Sequence, residues 1–308
     1  MGTTQSITVK NFVLIGAAGY IAPRHMQAIK ETGNRLLAAV DPHDSVGRLD
    51  HYFPDCDFFT EFERFDRHCD KLKRQGTPIH YVVVCSPNYL HDAHIRFGLR
   101  IGADVICEKP VVLNPWNVAA LMEMEKETGK KVWVVHQLRY HPAIIALKEK
   151  VEQAQAQQTF KIDLTYITPR GNWYQYSWKG DEQKSGGILS NIGLHFFDML
   201  LWIFGHVIES QVQNYSPTKA NGHLQLAKAS ISWLLSIDKA DSVGNTQLDT
   251  ANRKLTVDGN SIDFSSGFEN LHTTSYQQIL NGGGITLQES KKVIELVHTL
   301  RKNRLPKN

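Results

Sequence analysis

The chain has 308 residues, of which 42% are hydrophobic and 21% charged, and its formal charge is +3. That is length for two domains of ordinary size, with the composition of a soluble globular protein. The mild positive excess, without a block of consecutive Lys and Arg, argues against nucleic acid as a partner. No apolar run has spanning length, because Asn191, His195 and Asp198 interrupt the greasiest stretch; no membrane is expected. Cys56, Cys69, Cys85 and Cys107 form no CxxC pair, which fits a reducing, cytoplasmic setting.

Strand and helix signals alternate through the first 135 residues. Residues 11–16 read as a strand, followed by a helix over about 23–32 that Gly33 stops. A second strand, 36–41, ends at Asp41. Residues 62–74 have helical spacing with solvated charges. Residues 79–85 form a near-continuous apolar strand, and 89–99 are helical. The strand at 104–107 runs into Glu108-Lys109-Pro110. Asn114 and Pro115 open a helix, as cap and first residue, which Gly129 closes; residues 131–135 are another strand. This order predicts a Rossmann domain over 1–135, a doubly wound parallel sheet with helices on both faces. After residue 150 the pattern changes. Residues 160–168 alternate with period two, and further strands are expected at 207–215, 224–237, 254–257 and 261–264. The last two are joined by the turn Asp258-Gly259. Helices are expected at 189–204 and 287–302. The second domain, 136–308, reads as α+β on a mostly antiparallel open sheet, with one face free to pair with another subunit.

Between the first strand and helix stands Gly16-Ala17-Ala18-Gly19-Tyr20-Ile21. Gly16 fills the first position of the GxGxxG fingerprint; Ala18 and Ile21 replace the other two glycines, and Gly19 supplies a second flexible point. The strand–loop–helix setting and Asp41 at the end of the next strand raise the match to a dinucleotide site. A carboxylate there repels a 2′-phosphate, so NAD is preferred to NADP. Ser86, Asn88 and His91 leave the third long strand where they can line the nicotinamide side. His91 and His94 are three apart on a helix, but no further ligand set accompanies them, and no metal is expected. Lys109 lies beyond the carboxyl end of its strand, where it can reach a cofactor ribose and a substrate hydroxyl together, with Glu108 before it and a proline, able to take a cis bond, after it. On a regular helix Asn191, His195 and Asp198 share one face, an amide and a carboxylate that would tune an imidazole to act near neutral pH. Trp173, Tyr174, Trp178 and Lys179, with Arg170 nearby, suit stacking on a base and pairing with phosphate.

Taken together, the glycine loop, Asp41, Ser86-Pro87-Asn88 with His91, Glu108-Lys109-Pro110, and Gly186-Gly187 followed by His195 and Asp198 resemble the glucose–fructose oxidoreductase / inositol dehydrogenase (Gfo/Idh/MocA) family over nearly the whole chain. The stretches from Ile15 to His25, Gln137 to Arg139, Leu164 to Tyr174 and Ser190 to Gly193 are similar to its WlbA/WbpB branch. That resemblance implies an NAD enzyme, commonly a tetramer, that oxidises the sugar 3-hydroxyl of UDP-N-acetylglucosaminuronic acid in bacterial surface polysaccharide (O-antigen) synthesis. Some members regenerate NAD by reducing 2-oxoglutarate. The wider family usually has Asp where this chain has Asn191, so Asp198 becomes the available carboxylate; the closer branch carries Asn. The mechanism expected places His195 as proton acceptor and a cationic Lys109 against the developing alkoxide. Glu108 and Trp178 fall to the cofactor. Arg139, Arg170 and Lys179 are candidates for the carboxylate or diphosphate, with Tyr174 and Asn191 beside the sugar. The rival readings are a dehydrogenase of a free sugar or polyol, and a non-catalytic NAD sensor.

Overall fold

The computed structural model describes residues 9–242, 252–264 and 266–303. Strands β1 (Asn11–Ile15), β2 (Arg35–Val40), β3 (Asp57–Phe59), β4 (Tyr81–Val84), β5 (Asp104–Glu108) and β6 (Val132–Val135) form one parallel sheet in the order β3-β2-β1-β4-β5-β6. Every residue of β4 and β6 is buried, which is what a sheet covered on both faces requires of its inner strands. Helices α1 (Ala22–Glu31), α2 (Gly47–Tyr52), α3 (Phe62–Arg74), α4 (His91–Arg100) and α5 (Pro115–Thr128) provide the crossovers and cover. In α3 only Phe65 and Cys69, four apart, are buried, so the rest of its surface is free to carry charge. The strand order reverses between β1 and β4, and that switch point opens a crevice at the carboxyl ends of the strands.

After α6 (Pro142–Gln153) the chain enters a second sheet of β7 (Phe160–Ile167), β8 (Val207–Tyr215), β9 (Lys219–Leu226), β10 (Ala229–Ser236), β11 (Asn252–Val257) and β12 (Asn260–Ile262). Its order is β12-β11-β7-β10-β9-β8, antiparallel except where β7 runs parallel to β10. The single strand expected at 224–237 is the hairpin of β9 and β10, turning at Ala227-Lys228; neither residue is a turn former, so no local signal marks the break. Between β7 and β8 lie α7 (Asn172–Tyr176), α8 (Glu182–Ser185), one widened π-helical turn at Leu189–Gly193, and α9 (Leu194–Phe204). The helical run Glu182–Phe204 has the length and apolarity to cross a membrane, contrary to the sequence reading, but 72% of its apolar window is buried inside the fold. Its side chains Phe197, Leu200 and Phe204 are fully enclosed in the core.

The last segment returns to the first sheet. Helix α10 (Leu271–Leu280) packs against α1, and α11 (Leu287–Lys302) against α5 and α9. Tyr276 and Ile279 of α10 share a core with Phe12, Met26 and Ile106. A capping box, Thr286 with Glu289, starts α11. Helix α10 has no side-chain cap and includes two adjacent threonines, and the sequence reading missed it. One cleft lies between the two sheets, so both halves of the chain contribute to its wall.

Candidate active site

The cleft has a volume of about 1200 Å³, room for a dinucleotide and a second ligand side by side. Its first wall is the glycine loop. Gly16 has φ +95°, and a Cβ there would sit 2.6 Å from the Cys85 carbonyl carbon; only glycine fits. Asp41 fastens this loop: one carboxylate oxygen accepts the Ala18 N–H at 3.0 Å and the other the His43 N–H at 2.9 Å. No side chain caps the start of α1, but the Ala22 N–H donates to the Gly19 carbonyl at 3.1 Å, the Arg24 N–H to the Ile21 carbonyl at 3.0 Å, and Pro23 has no N–H, so the helix offers an anion the positive end of its dipole rather than free amides. Gly19, Tyr20 and Ile21 line the same wall, Tyr20 at the rim and 88% exposed.

Ser86, Asn88 and His91 form the opposite lip. The Ser86 hydroxyl pairs with His94 Nδ1 at 2.8 Å, and the buried Asn88 amide donates to the Ser185 carbonyl at 2.9 Å, tying the two halves together. His91 lines the cleft with its ring already engaged. Both of its ring nitrogens lie 2.7 Å from backbone carbonyls, Pro110 and Ser86, so neither is left for a nicotinamide. It fastens the two loops that the cofactor would touch.

Lys109 follows β5, and the Lys109–Pro110 bond is cis. Its ammonium donates to the Asn191 backbone carbonyl at 2.9 Å, joining the two halves of the chain. Burial pushes this ammonium down to about 8; Glu108 opposes the shift, and Lys179 and Arg170 add to it. His195 lines the same wall. Burial, and then the Lys109 charge, hold it well below the usual histidine range. At neutral pH the lysine is therefore mostly charged and the imidazole neutral, with a lone pair to offer. Among the described residues His195 Nδ1 is buried without a hydrogen-bond partner, and the Asn191 amide donates to the Tyr174 hydroxyl at 2.6 Å. Arg170, Trp173, Trp178 and Lys179 close one end of the cleft, with Lys179 Nζ 5.0 Å and 5.3 Å from the two indole centroids.

Two expected site residues stand elsewhere. Arg139 and Asp198 are buried and bonded to each other, at 2.9 and 2.7 Å, and Arg139 reaches Glu289 at 3.1 Å. Neither lines the cleft. Asp198 lies one turn beyond His195, under the short turn Gln137–Tyr140, where a buried guanidinium needs a carboxylate partner. Asn191 and His195 thus meet Lys109 while Asp198 does not. Sequence reasoning missed Arg24, Arg253, Phe268 and His272 on the wall, and His25 and Tyr276 behind it. Arg253 stacks on Phe268 at 4.5 Å. His272 and Tyr276 are four apart on α10, a spacing that would have placed both on one face had that helix been recognised.

Residues 10–136 match the model of an oxidoreductase family with an NAD-binding Rossmann fold, and residues 148–240 its C-terminal α/β domain. The chain belongs to the Gfo/Idh/MocA oxidoreductase family. Among solved structures it is similar to the WlbA (WbpB) dehydrogenase of Thermus thermophilus in complex with NAD and α-ketoglutarate, with 43% identity, 97% of each chain covered and a TM-score of 0.91. A second structure, described as WlbA (WbpB) of the same organism with NAD and UDP-GlcNAcA, gives 43% identity and a TM-score of 0.91, covering 97% of this chain and 96% of that one. Curated relatives are more distant. Inositol 2-dehydrogenase of Rhizobium meliloti is 25% identical over 63% of this chain and 54% of its own length, and the putative oxidoreductase YteT of Bacillus subtilis is 29% identical over 50% and 36%. The chain thus spans from about a third to about half of these two relatives. The family's cofactor fits the residues present: the space at Gly16, the positive end of α1 and the carboxylate at Asp41 are three features of a dinucleotide-binding wall.

Proposed function

We propose that this protein oxidises the C3 hydroxyl of UDP-N-acetylglucosaminuronic acid, using NAD, as a step in bacterial surface polysaccharide (O-antigen) synthesis. The reading places it in the cytoplasm as a homotetramer. The observation that carries it is the meeting of Lys109, from the nucleotide half, with Asn191 and His195, from the other half, on one cleft wall. The 43% identity to an enzyme crystallised with NAD and UDP-GlcNAcA supports the substrate. NAD, when bound, supplies the acceptor for the C3 hydride. The chain's own residues do the rest. The neutral imidazole of His195 takes the hydroxyl proton, and the Lys109 ammonium faces the charge that develops on oxygen, a contact worth most in a water-poor site. Tyr174 and Asn191 hold the sugar beside them. Arg170 and Lys179 offer a planar and a point cation to the substrate carboxylate or diphosphate.

Purified protein given NAD and UDP-N-acetylglucosaminuronic acid should form NADH and a 3-keto sugar. Adding 2-oxoglutarate should sustain turnover, with 2-hydroxyglutarate as second product. Turnover of myo-inositol or glucose without the nucleotide sugar would replace this reading by the polyol dehydrogenase to which the curated relative points. NAD binding with no reduction of any sugar would replace it by the sensor.

A further inference from the structure

Behind the lysine lies a cluster that no step above uses. Glu108 Oε1 accepts two hydrogen bonds, from His25 Nε2 at 2.9 Å and from His272 Nε2 at 3.0 Å. His25 Nδ1 in turn lies 2.8 Å from the Tyr276 hydroxyl. His25 and Tyr276 are fully buried, and His272 nearly so. The imidazoles meet edge to face, with centroids 4.9 Å apart. The other carboxylate oxygen lies 3.3 Å from the backbone N–H of Lys109. A carboxylate only accepts, so each Nε2 carries its proton, and the tyrosine O–H donates to the remaining lone pair of His25. The separations are hydrogen-bond lengths.

We propose that His25 and His272 are positioning residues for the reaction: their two N–H groups fix Glu108 as a buried anion beside Lys109, so that helix α10, outside both matched family segments, helps set the charge at the reacting alcohol. The inference rests on the reading of Lys109 as the cation at that alcohol. An isolated buried carboxylate would take up a proton, but two donors in a dry site favour the charged form. The two histidines hold Glu108 well below the usual range, against its burial. The anion then keeps a desolvated lysine protonated near neutral pH. Other titratable groups face the pair from each neighbouring element: Cys85 after β4, Cys107 of β5 and His91 of α4, and His136 after β6 and His195 of α9. From the segment between β7 and α8, Arg170 and Lys179 oppose the charge on Lys109.

The test titrates Lys109 directly, by trace acetylation of the whole protein across pH with peptide mass spectrometry, beside the pH profile of kcat. In the wild type the labelling midpoint should lie at about 8. Glu108→Gln, which keeps the shape and loses the charge, should lower it by about one unit or more and move the alkaline fall in kcat with it. His272→Leu with His25→Leu should shift it the same way, whereas His272→Gln, which retains an N–H, should restore the wild-type midpoint. An unchanged midpoint in Glu108→Gln overturns the proposal. So does a stoichiometric metal ion in the purified protein, because the ring nitrogens would then hold metal in place of protons. Labelling needs no substrate, so a midpoint that shifts as expected in a protein inactive on UDP-sugars supports the charge relation and removes only the substrate.

Discussion

Lys109→Met keeps most of the side-chain volume and removes the ammonium. The charge it removes faces an oxygen that becomes anionic only as the hydride leaves. At an effective dielectric of about 20 and a separation of about 4 Å, that attraction is worth about 4 kcal/mol, or roughly a thousandfold in rate. Loss of one donor from an oxyanion site costs a similar amount, about a hundredfold to a thousandfold. The glycine loop and Asp41 are untouched, so NAD affinity should stay within about threefold. Stopped-flow formation of NADH under single turnover reads the chemical step, and calorimetry reads NAD binding. The pH profile supplies the sign. The Lys109 ammonium is present below about 8 and lost above it, so the wild-type rate should fall as pH rises through about 8. His195 is held well below 6.5, so it stays neutral and adds no loss near pH 6.5. A variant within tenfold of wild type, or a wild-type rate that climbs through pH 8, would refute the reasoning; the second result would make the neutral amine the base.

Asp41→Asn should weaken NAD binding by about ten- to a hundredfold, the loss of a charged hydrogen-bond acceptor, and narrow the preference over NADP, read by the two dissociation constants. Gly16→Ala forces a side chain into φ +95° against the Cys85 backbone; it should destabilise the protein by at least about 1–3 kcal/mol, read as a lowered urea midpoint. Asp198→Asn should cost about 3–5 kcal/mol of stability, because it leaves a buried guanidinium short of its partner, while the alkaline limb of kcat stays in place. A displaced limb would return Asp198 to the catalytic group. His25 and His136 are buried with values below 6.5. The unfolded chain therefore binds more protons than the native one below about pH 6.5, and stability should drop as pH falls through that range, by up to about 1.4 kcal/mol per pH unit for each histidine. Flat thermal unfolding between pH 7 and 5.5 would contradict their burial as neutral rings.

The parallel sheet was legible because its strands are short apolar runs, such as Tyr81–Val84, punctuated by glycine and proline. The tripeptide at Glu108-Lys109-Pro110 and the pair Asn191 and His195 were legible because their residue types are unusual at those places. What escaped had no local signal. The β9–β10 turn lacks glycine and asparagine. Helix α10 lacks a cap. The pairing of Arg139 with Asp198 joins residues 59 positions apart, a contact that only packing creates. His25 and His272 meet over 247 positions of chain, through Glu108. Periodicity along one helix showed that Asp198 shares a side with His195, but not which of the two would reach the cleft and which the core.

The widened turn at Leu189–Gly193 has a consequence for how this enzyme can vary. The turn is wider than the regular i→i+4 ladder, and a main-chain oxygen within it, that of Asn191, receives Lys109. An anchor made of main chain survives any exchange of the side chain it belongs to. It does not survive a change in residue count: deleting a single position in 189–193 restores a regular helix, swings residue 191 about 100° around the axis, and leaves the lysine unmoored. Relatives should therefore tolerate different letters in this segment far better than different lengths.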